Sequence, residues 1–324
     1  MTEKKILYLS KADVNAVGLS TAEVIELLET AFEEKGHGRV EIPPKPGIHP
    51  GGGDNFIHAM PAYIPALGSA GIKWVSGFPD NAKKGLPYIS GLLILNDPET
   101  GIPLAVMDCE WITGMRTAAA SAVSARRLAR PESSTLGVLG CGLQGFTNTE
   151  ALNVDFPIEE VFAYDLSKKS LAIYTEKVEK LGLKVTIVDT PEKAVKGCDL
   201  VVTAGPILKE PHKTIQASWL EKGAFASLVD FDSYWHPDAL KEFDKFCTDD
   251  HNQFDYYQSV GYFQDAPPRH ADLGELVAGQ KAGREAATER NAACNLGLAL
   301  DDMAVAPTLY KRAVEKGIGT WLPL

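Results

Sequence analysis

Thr135-Leu136-Gly137-Val138-Leu139-Gly140-Cys141-Gly142-Leu143-Gln144-Gly145 is the stretch on which the fold turns. An apolar run ends in a GxGxxG pattern, and a helix-length segment follows. Gly140 permits the tight turn, Gly142 lets a pyrophosphate approach the backbone, and Gly145 lets helix and strand pack closely. The helix start behind them offers free N–H donors and the positive end of its dipole to phosphates. A glycine turn with no ligand can mimic the pattern, but here the context agrees with it. The next apolar run ends at Tyr164-Asp165, and Asp165 lies 20 residues after Gly145, the separation expected of the acid that binds a ribose 2′-hydroxyl. Its carboxylate would repel a 2′-phosphate, so NAD is favoured; Lys168 and Lys169 nearby keep NADP possible.

Outward from this stretch, apolar runs at 136–139, 161–164, 185–188, 200–203 and 225–229 alternate with helix-length segments as far as Cys247. Continuous apolar strands separated by helices predict a parallel sheet covered on both faces. The N-terminal part reads differently. Ser20 and Glu23 form a capping box ahead of a helix. Residues 40–66 are rich in Pro and Gly and read as loop punctuated by short strands. Residues 92–108 read as a β-hairpin turning at Asp97-Pro98-Glu99-Thr100-Gly101. Trp111 to Ala129 predicts an alanine-rich helix, and 292–313 a second one that returns the chain to its first part. The expected fold class is therefore α/β, with a Rossmann-type dinucleotide domain (126–299) inserted into an α+β domain (1–125 plus 300–324).

The 324 residues carry 32 Lys+Arg and 43 Asp+Glu, a net charge of −11. That balance disfavours nucleic acid as a partner, since phosphate backbones need clustered cations. No run of about 18 apolar residues is present, so no membrane-spanning segment is expected. Met1 to Lys5 is not followed by the apolar stretch of a secretory signal. The five cysteines and seven histidines are dispersed without metal-ligand spacing. A soluble, reduced, cytoplasmic protein with no structural metal is expected.

Lys73, in Gly71-Ile72-Lys73-Trp74-Val75, and Arg116, in Gly114-Met115-Arg116-Thr117-Ala118, are cations in apolar surroundings. An arginine fork holds a carboxylate in bidentate fashion and a lysine adds a point charge; a surface charge or a structural ion pair is the alternative. Asp230 and Asp232 stand where a strand of the dinucleotide domain ends, the edge at which ligands collect. Either one would serve as a general base, or as a loop carboxylate capping a helix. His58 is a third candidate, against the plainer role of a histidine hydrogen-bonded in place.

Together these residues resemble the ornithine cyclodeaminase/mu-crystallin family over nearly the whole chain. The resemblance is carried by Met60-Pro61-Ala62-Tyr63, Gly71-Ile72-Lys73, Asp97 to Gly101, Arg116-Thr117-Ala118-Ala119-Ala120-Ser121, the glycine loop, and Gly297-Leu298-Ala299-Leu300-Asp301-Asp302. It implies a homodimer that uses NAD(P) on a small amino-acid or imino-acid substrate. It further implies that Lys73 and Arg116 hold the substrate carboxylate and that Asp232, with Lys73, does the catalysis, Asp230 being the fallback. By position, Thr117, the loop residues Gly140, Gly142, Leu143, Gln144 and Gly145, Asp165, His236 and Asn295 would contact the cofactor. Lys45 takes the place of a family arginine, and His58 that of a glutamate near the side-chain amine of ornithine. An imidazole is a poor partner for a second ammonium group. An amino-acid dehydrogenase or imine reductase is therefore expected ahead of an ornithine cyclodeaminase, with a mu-crystallin-like ligand-binding protein as the third reading.

Overall fold

A computed structural model describes residues 4–324. The chain begins with β1 (Lys5–Leu9), α1 (Lys11–Val17), α2 (Thr21–Gly36), β2 (Gly47–Ile48), β3 (Phe56–Ile64), β4 (Ser69–Gly77), β5 (Ile89–Asn96), β6 (Pro103–Asp108) and α3 (Glu110–Leu128). It continues with β7 (Thr135–Leu139), α4 (Leu143–Asp155), β8 (Glu160–Tyr164), α5 (Lys168–Glu179), β9 (Lys184–Ile187), α6 (Pro191–Val195), β10 (Leu200–Thr203), β11 (Phe225–Leu228), α7 (Pro237–Leu240), β12 (Lys245–Thr248), α8 (His251–Ser259), β13 (Ala271–Asp272), α9 (Leu273–Val277) and β14 (Asn291–Cys294). It ends with α10 (Ala299–Lys316) and β15 (Thr320–Pro323). Two compact units result: one holds the residues up to Arg116 together with Leu298–Leu324, the other Thr117–Gly297.

The first unit is built on a sheet of order β15-β1-β6-β5-β4-β3-β2. Its strands pair antiparallel, apart from the parallel β1–β6 pair. Alternation along each strand sends one set of side chains to a covered face, where α10 packs on β3 and β4 and against α2. On β4 that set is Ser69, Gly71, Lys73, Val75 and Gly77, so the period of two places Lys73 on the covered face. The segment read as loop with short strands contains the nine-residue β3. Its Pro61 is tolerated because β2 pairs only as far as His58, and on that edge Ala59 and Tyr63 donate to Pro46 and Glu41 on either side of it.

The second unit carries an all-parallel sheet of order β13-β12-β14-β11-β10-β7-β8-β9. This is the doubly wound arrangement expected from the apolar runs. The strand order reverses beside β7, between β8 and β10, and such a switch point opens a crevice at the strands' carboxyl ends. The glycine loop leaves β7 into it.

One expectation is corrected. Residues 292–294 do not begin a helix: Asn291–Cys294 is a fully buried strand paired with β11 on one side and β12 on the other. Burial between two strands overrides the helix preference of its two alanines. The chain then turns through Gly297 at φ 75°, and the helix starts at Ala299.

Candidate active site

In the first unit, four charged side chains meet away from solvent. Lys73 on β4 is wholly buried, and its Nζ lies 2.8 Å from Asp302 Oδ1 and 2.7 Å from Oδ2. Arg116 on α3 is 6% exposed and donates from Nη1 to Asp301 Oδ2 at 3.0 Å, with Nε 3.5 Å from Asp302 Oδ1. Both acids come from the first turn of α10, where Asp301 also accepts the backbone N–H of Leu298 at 3.0 Å. Burial pushes the Lys73 ammonium below the usual lysine range, the Arg116 charge adds to this, and Asp302 opposes both.

His58 on β3 borders this cluster. Its pKa is lowered to about 3, first by burial and then by Lys45, His49 and Lys73, so the imidazole is neutral at physiological pH. Its ring stacks on Phe56 at 4.4 Å and against Gly47, where an added Cβ would lie 2.3 Å from the imidazole Cδ2. Lys45, 8% exposed, sits two residues before Gly47. Lys45 and Lys73 both act on the imidazole, and Lys73 and Arg116 present buried donors of the kind that bind a carboxylate.

In the second unit the glycine loop is shaped by close approach. Gly140 has φ 97°, and a Cβ there would be 2.5 Å from Ala204 O; a Cβ on Gly145 would be 2.2 Å from Gly140 O. A Cβ on Gly142 would meet nothing within 4 Å. Gly142 is also the N-cap of α4 and makes no side-chain cap, so the helix start is open to a ligand. Leu143, half exposed, and Gln144 begin the helix. Asp165 accepts the Cys141 N–H at 2.7 Å and the Ser167 N–H at 2.7 Å, bringing its carboxylate beside the loop.

Across the strand ends lies the turn after β11. Asp230 is 1% exposed and accepts from Thr203 Oγ1 at 2.6 Å and from Gly205 N at 2.8 Å. Asp232 is 2% exposed, and its Oδ1 has no hydrogen-bond partner. Burial raises Asp230 to about 7 and Asp232 to about 6, against hydrogen bonds that lower both. Tyr234 lays its ring over Gly205, where a Cβ would be 2.6 Å from the ring's Cε2.

The remaining residues singled out in the sequence lie as follows. Thr117, 9% exposed, follows Arg116 on α3, and its carbonyl accepts from Ser121. Asn295, just past β14, donates to Ser124 Oγ at 3.1 Å, while its Oδ1 has no hydrogen-bond partner. His236 caps the short α7, accepting the Asp238 N–H at 3.2 Å. Asp301 and Asp302 were not singled out as site residues, although a buried acid doublet opening an apolar helix is a readable signal. Tyr234 and Thr203 acquire their places only through the tertiary structure. His251, Asp272 and Glu275 also bring ligand-type atoms within 4.8 Å of one another. There Glu275 and Asp272 cap α9, and His251 bonds Glu275 at 3.0 Å.

The two ends of the glycine loop separate folding from binding. Gly145→Val is expected to destabilise the protein by about 1–3 kcal/mol through overpacking. Gly142→Val leaves the melting temperature within a degree or two but weakens dinucleotide binding at least about tenfold, read by calorimetric titration with NAD.

Residues 4–317 match the model of the ornithine cyclodeaminase/mu-crystallin family. An alanine dehydrogenase of Archaeoglobus fulgidus is 35% identical over 322 residues, covering 97% of each chain. Among solved structures, Thermococcus litoralis Δ1-pyrroline-2-carboxylate reductase in complex with NADH and L-proline superposes with TM-score 0.87 at 32% identity, over 97% of this chain and 99% of that one. An archaeal alanine dehydrogenase dimer with bound NAD superposes with TM-score 0.88 at 34% identity, over 99% and 100%. With matching sequence over its length and matching fold in both units, the chain belongs to the ornithine cyclodeaminase/mu-crystallin family.

Proposed function

We propose that this protein is an NAD-dependent oxidoreductase that interconverts a small L-amino acid and its imino or keto acid by hydride transfer at Cα. The observation that carries the reading is the buried set of Lys73 and Arg116 on Asp301 and Asp302, with Lys45 and a neutral His58 beside it. Two buried, oriented cations support the seating of one carboxylate, and the neutral His58 is a poor partner for a distal ammonium. Asp301 and Asp302 fix the two cations, so little ordering remains to be done when the substrate arrives.

The residues of the second unit fit NAD. The space at Gly142 and the open start of α4 suit the pyrophosphate, and Asp165 suits the adenosine ribose while disfavouring a 2′-phosphate. When bound, NAD supplies the hydride acceptor or donor. The protein manages protons. Asp232, as carboxylate, takes one from the substrate ammonium so that the nitrogen lone pair can form the imine, or from the water that then attacks the imine carbon. In the reductive direction Asp232 starts protonated and returns that proton. A protein that only bound small ligands would have no use for a buried carboxyl with an unpartnered oxygen and a pKa near neutrality.

The reading is tested by following NADH at 340 nm with a panel of L-amino acids while ammonia is measured. NADH formed in step with a monoamine's oxidation is expected; ammonia from ornithine or lysine with no NADH would replace the reading with cyclodeaminase chemistry. The pH dependence follows from Asp232, raised to about 6. Amino-acid oxidation needs its ionised form, so kcat/KM rises with pH through about 6 and levels off above. Imine reduction needs the protonated form, so its kcat/KM falls through the same range. Asp232→Asn should remove that limb and lower turnover at least about 100-fold while NAD still binds.

We also propose a homodimer joined through the uncovered face of the first unit's sheet. Trp74 pairs with Leu92, Ile72 with Ile94, Ile94 with Val106, and Val106 with Tyr8 across four strands. Trp74 is 49% exposed and Leu92 44%, in one apolar stripe. Replacing Trp74 and Leu92 together with Glu should yield a folded monomer by sedimentation velocity; an unchanged dimer would place the interface elsewhere.

A further inference from the structure

Asp232 follows one strained residue, and a second packs against that residue's ring. Phe231, immediately before it, has φ 64°, and Phe263, in the loop after α8, has φ 55°. Both are buried, at 3% and 1% exposure. The left-handed region is uncommon for a bulky side chain, and it persists only where the surroundings enforce it. On one side an aromatic cluster enforces it. The Phe231 ring lies 4.9 Å from Phe263, 5.2 Å from Tyr257 and 5.8 Å from Tyr262, and Phe263 stacks on Phe254 at 4.3 Å.

On the other side the enforcing group is Asp230. Its oxygens take the Thr203 hydroxyl and the Gly205 N–H, both at the carboxyl end of β10. Thr203 Oγ1 also accepts the Trp235 indole N–H at 3.3 Å. The Asp230 carbonyl accepts the Ser233 N–H, and Ser233 Oγ accepts the Leu208 N–H at 2.8 Å. Residues 230–235 are thereby tied at both ends to the segment leaving β10. The short path between the anchors carries Phe231 through the left-handed region and leaves Asp232 buried with Oδ1 unpartnered.

We infer that Asp230 is a positioning residue, whose bonds to Thr203 and Gly205 hold Phe231 in its left-handed conformation and so keep the Asp232 carboxyl buried with one oxygen unpartnered, as a proton-transfer group requires. The inference rests on the reading of Asp232 as the proton-transfer group. It assigns the two neighbouring acids different work: Asp230 needs only to accept hydrogen bonds, whereas Asp232 must gain and lose a proton.

The test compares Asp230→Ala, Asp230→Asn and Asp232→Asn with the parent enzyme. Asp230→Ala should lower kcat about 30- to 100-fold with KM for NAD changed less than threefold. Asp230→Asn, whose amide oxygen still accepts one of the two bonds, should recover at least tenfold of that loss. Asp232→Asn should be inactive. Parent-like kcat in Asp230→Ala overturns the inference, as does a rise in KM for NAD that matches the fall in kcat. Asp230→Asn as inactive as Asp230→Ala also overturns it, because Asp230 would then be acting through its own proton. A crystal structure of Asp230→Ala gives a readout that needs no activity. Phe231 leaving the left-handed region supports the inference, and Phe231 still near φ 64° overturns it. Should the parent oxidise none of the amino acids, the functional reading fails, and this structural arm still decides the inference.

Discussion

The buried ion cluster of the first unit is the constraint on which that unit depends. Lys73 and Asp302 are 229 residues apart in the chain, and Arg116 and Asp301 are 185 apart. None of the four charges can be buried until β4, the start of α3 and the start of α10 have come together. Desolvating such charges costs several kcal/mol per ion, and their mutual attraction offsets it only when the geometry is good. A well-packed apolar set would stabilise the fold at least as well. Retaining four charges there fits the proposal that the unit binds a further one.

The second unit answers a different requirement. Parallel strands end together, and where their order reverses beside β7 the loops diverge and leave room for a dinucleotide. Two devices occupy that edge. The glycine loop brings backbone close to backbone at Gly140 and Gly145 and leaves space at Gly142. The turn after β11 does the opposite, packing Phe231 and Trp235 tightly around two buried carboxyls. Burial raises the affinity of both acids for protons, so each favours folding at low pH. That contribution is complete below about 4, the unfolded range, and is lost as pH rises through about 6 for Asp232 and about 7 for Asp230. The unit accepts that loss of stability in the pH range where such a carboxyl is chemically useful.

Much of this was legible because it is local. The glycine loop, Asp165 and the apolar runs express strand, turn and helix preferences within about thirty residues of one another. Lys73 stands out because a cation interrupts an alternating strand on the side that the period of two assigns to the core. The reading failed at 292–294, where alanines suggested helix and two flanking strands imposed extended backbone. It ranked Asp232 ahead of Asp230 only through the family resemblance, because the physical difference between them lies in the partners that Asp230 finds at the end of β10. The acids that hold Lys73 and Arg116 escaped for a similar reason, since their meaning depends on cations far away in the chain.

The sequence by itself determined the α/β class, the parallel dinucleotide sheet and the family, and it offered candidates for a site without the acids that hold two of them. Periodicity and short-range steric rules are written residue by residue. Only the tertiary structure decided which charges are paired, which carboxyl keeps a free oxygen, and that His58 is neutral. Those properties depend on burial and on distances between residues remote in the chain, and desolvation and Coulomb energy are set by distance in space.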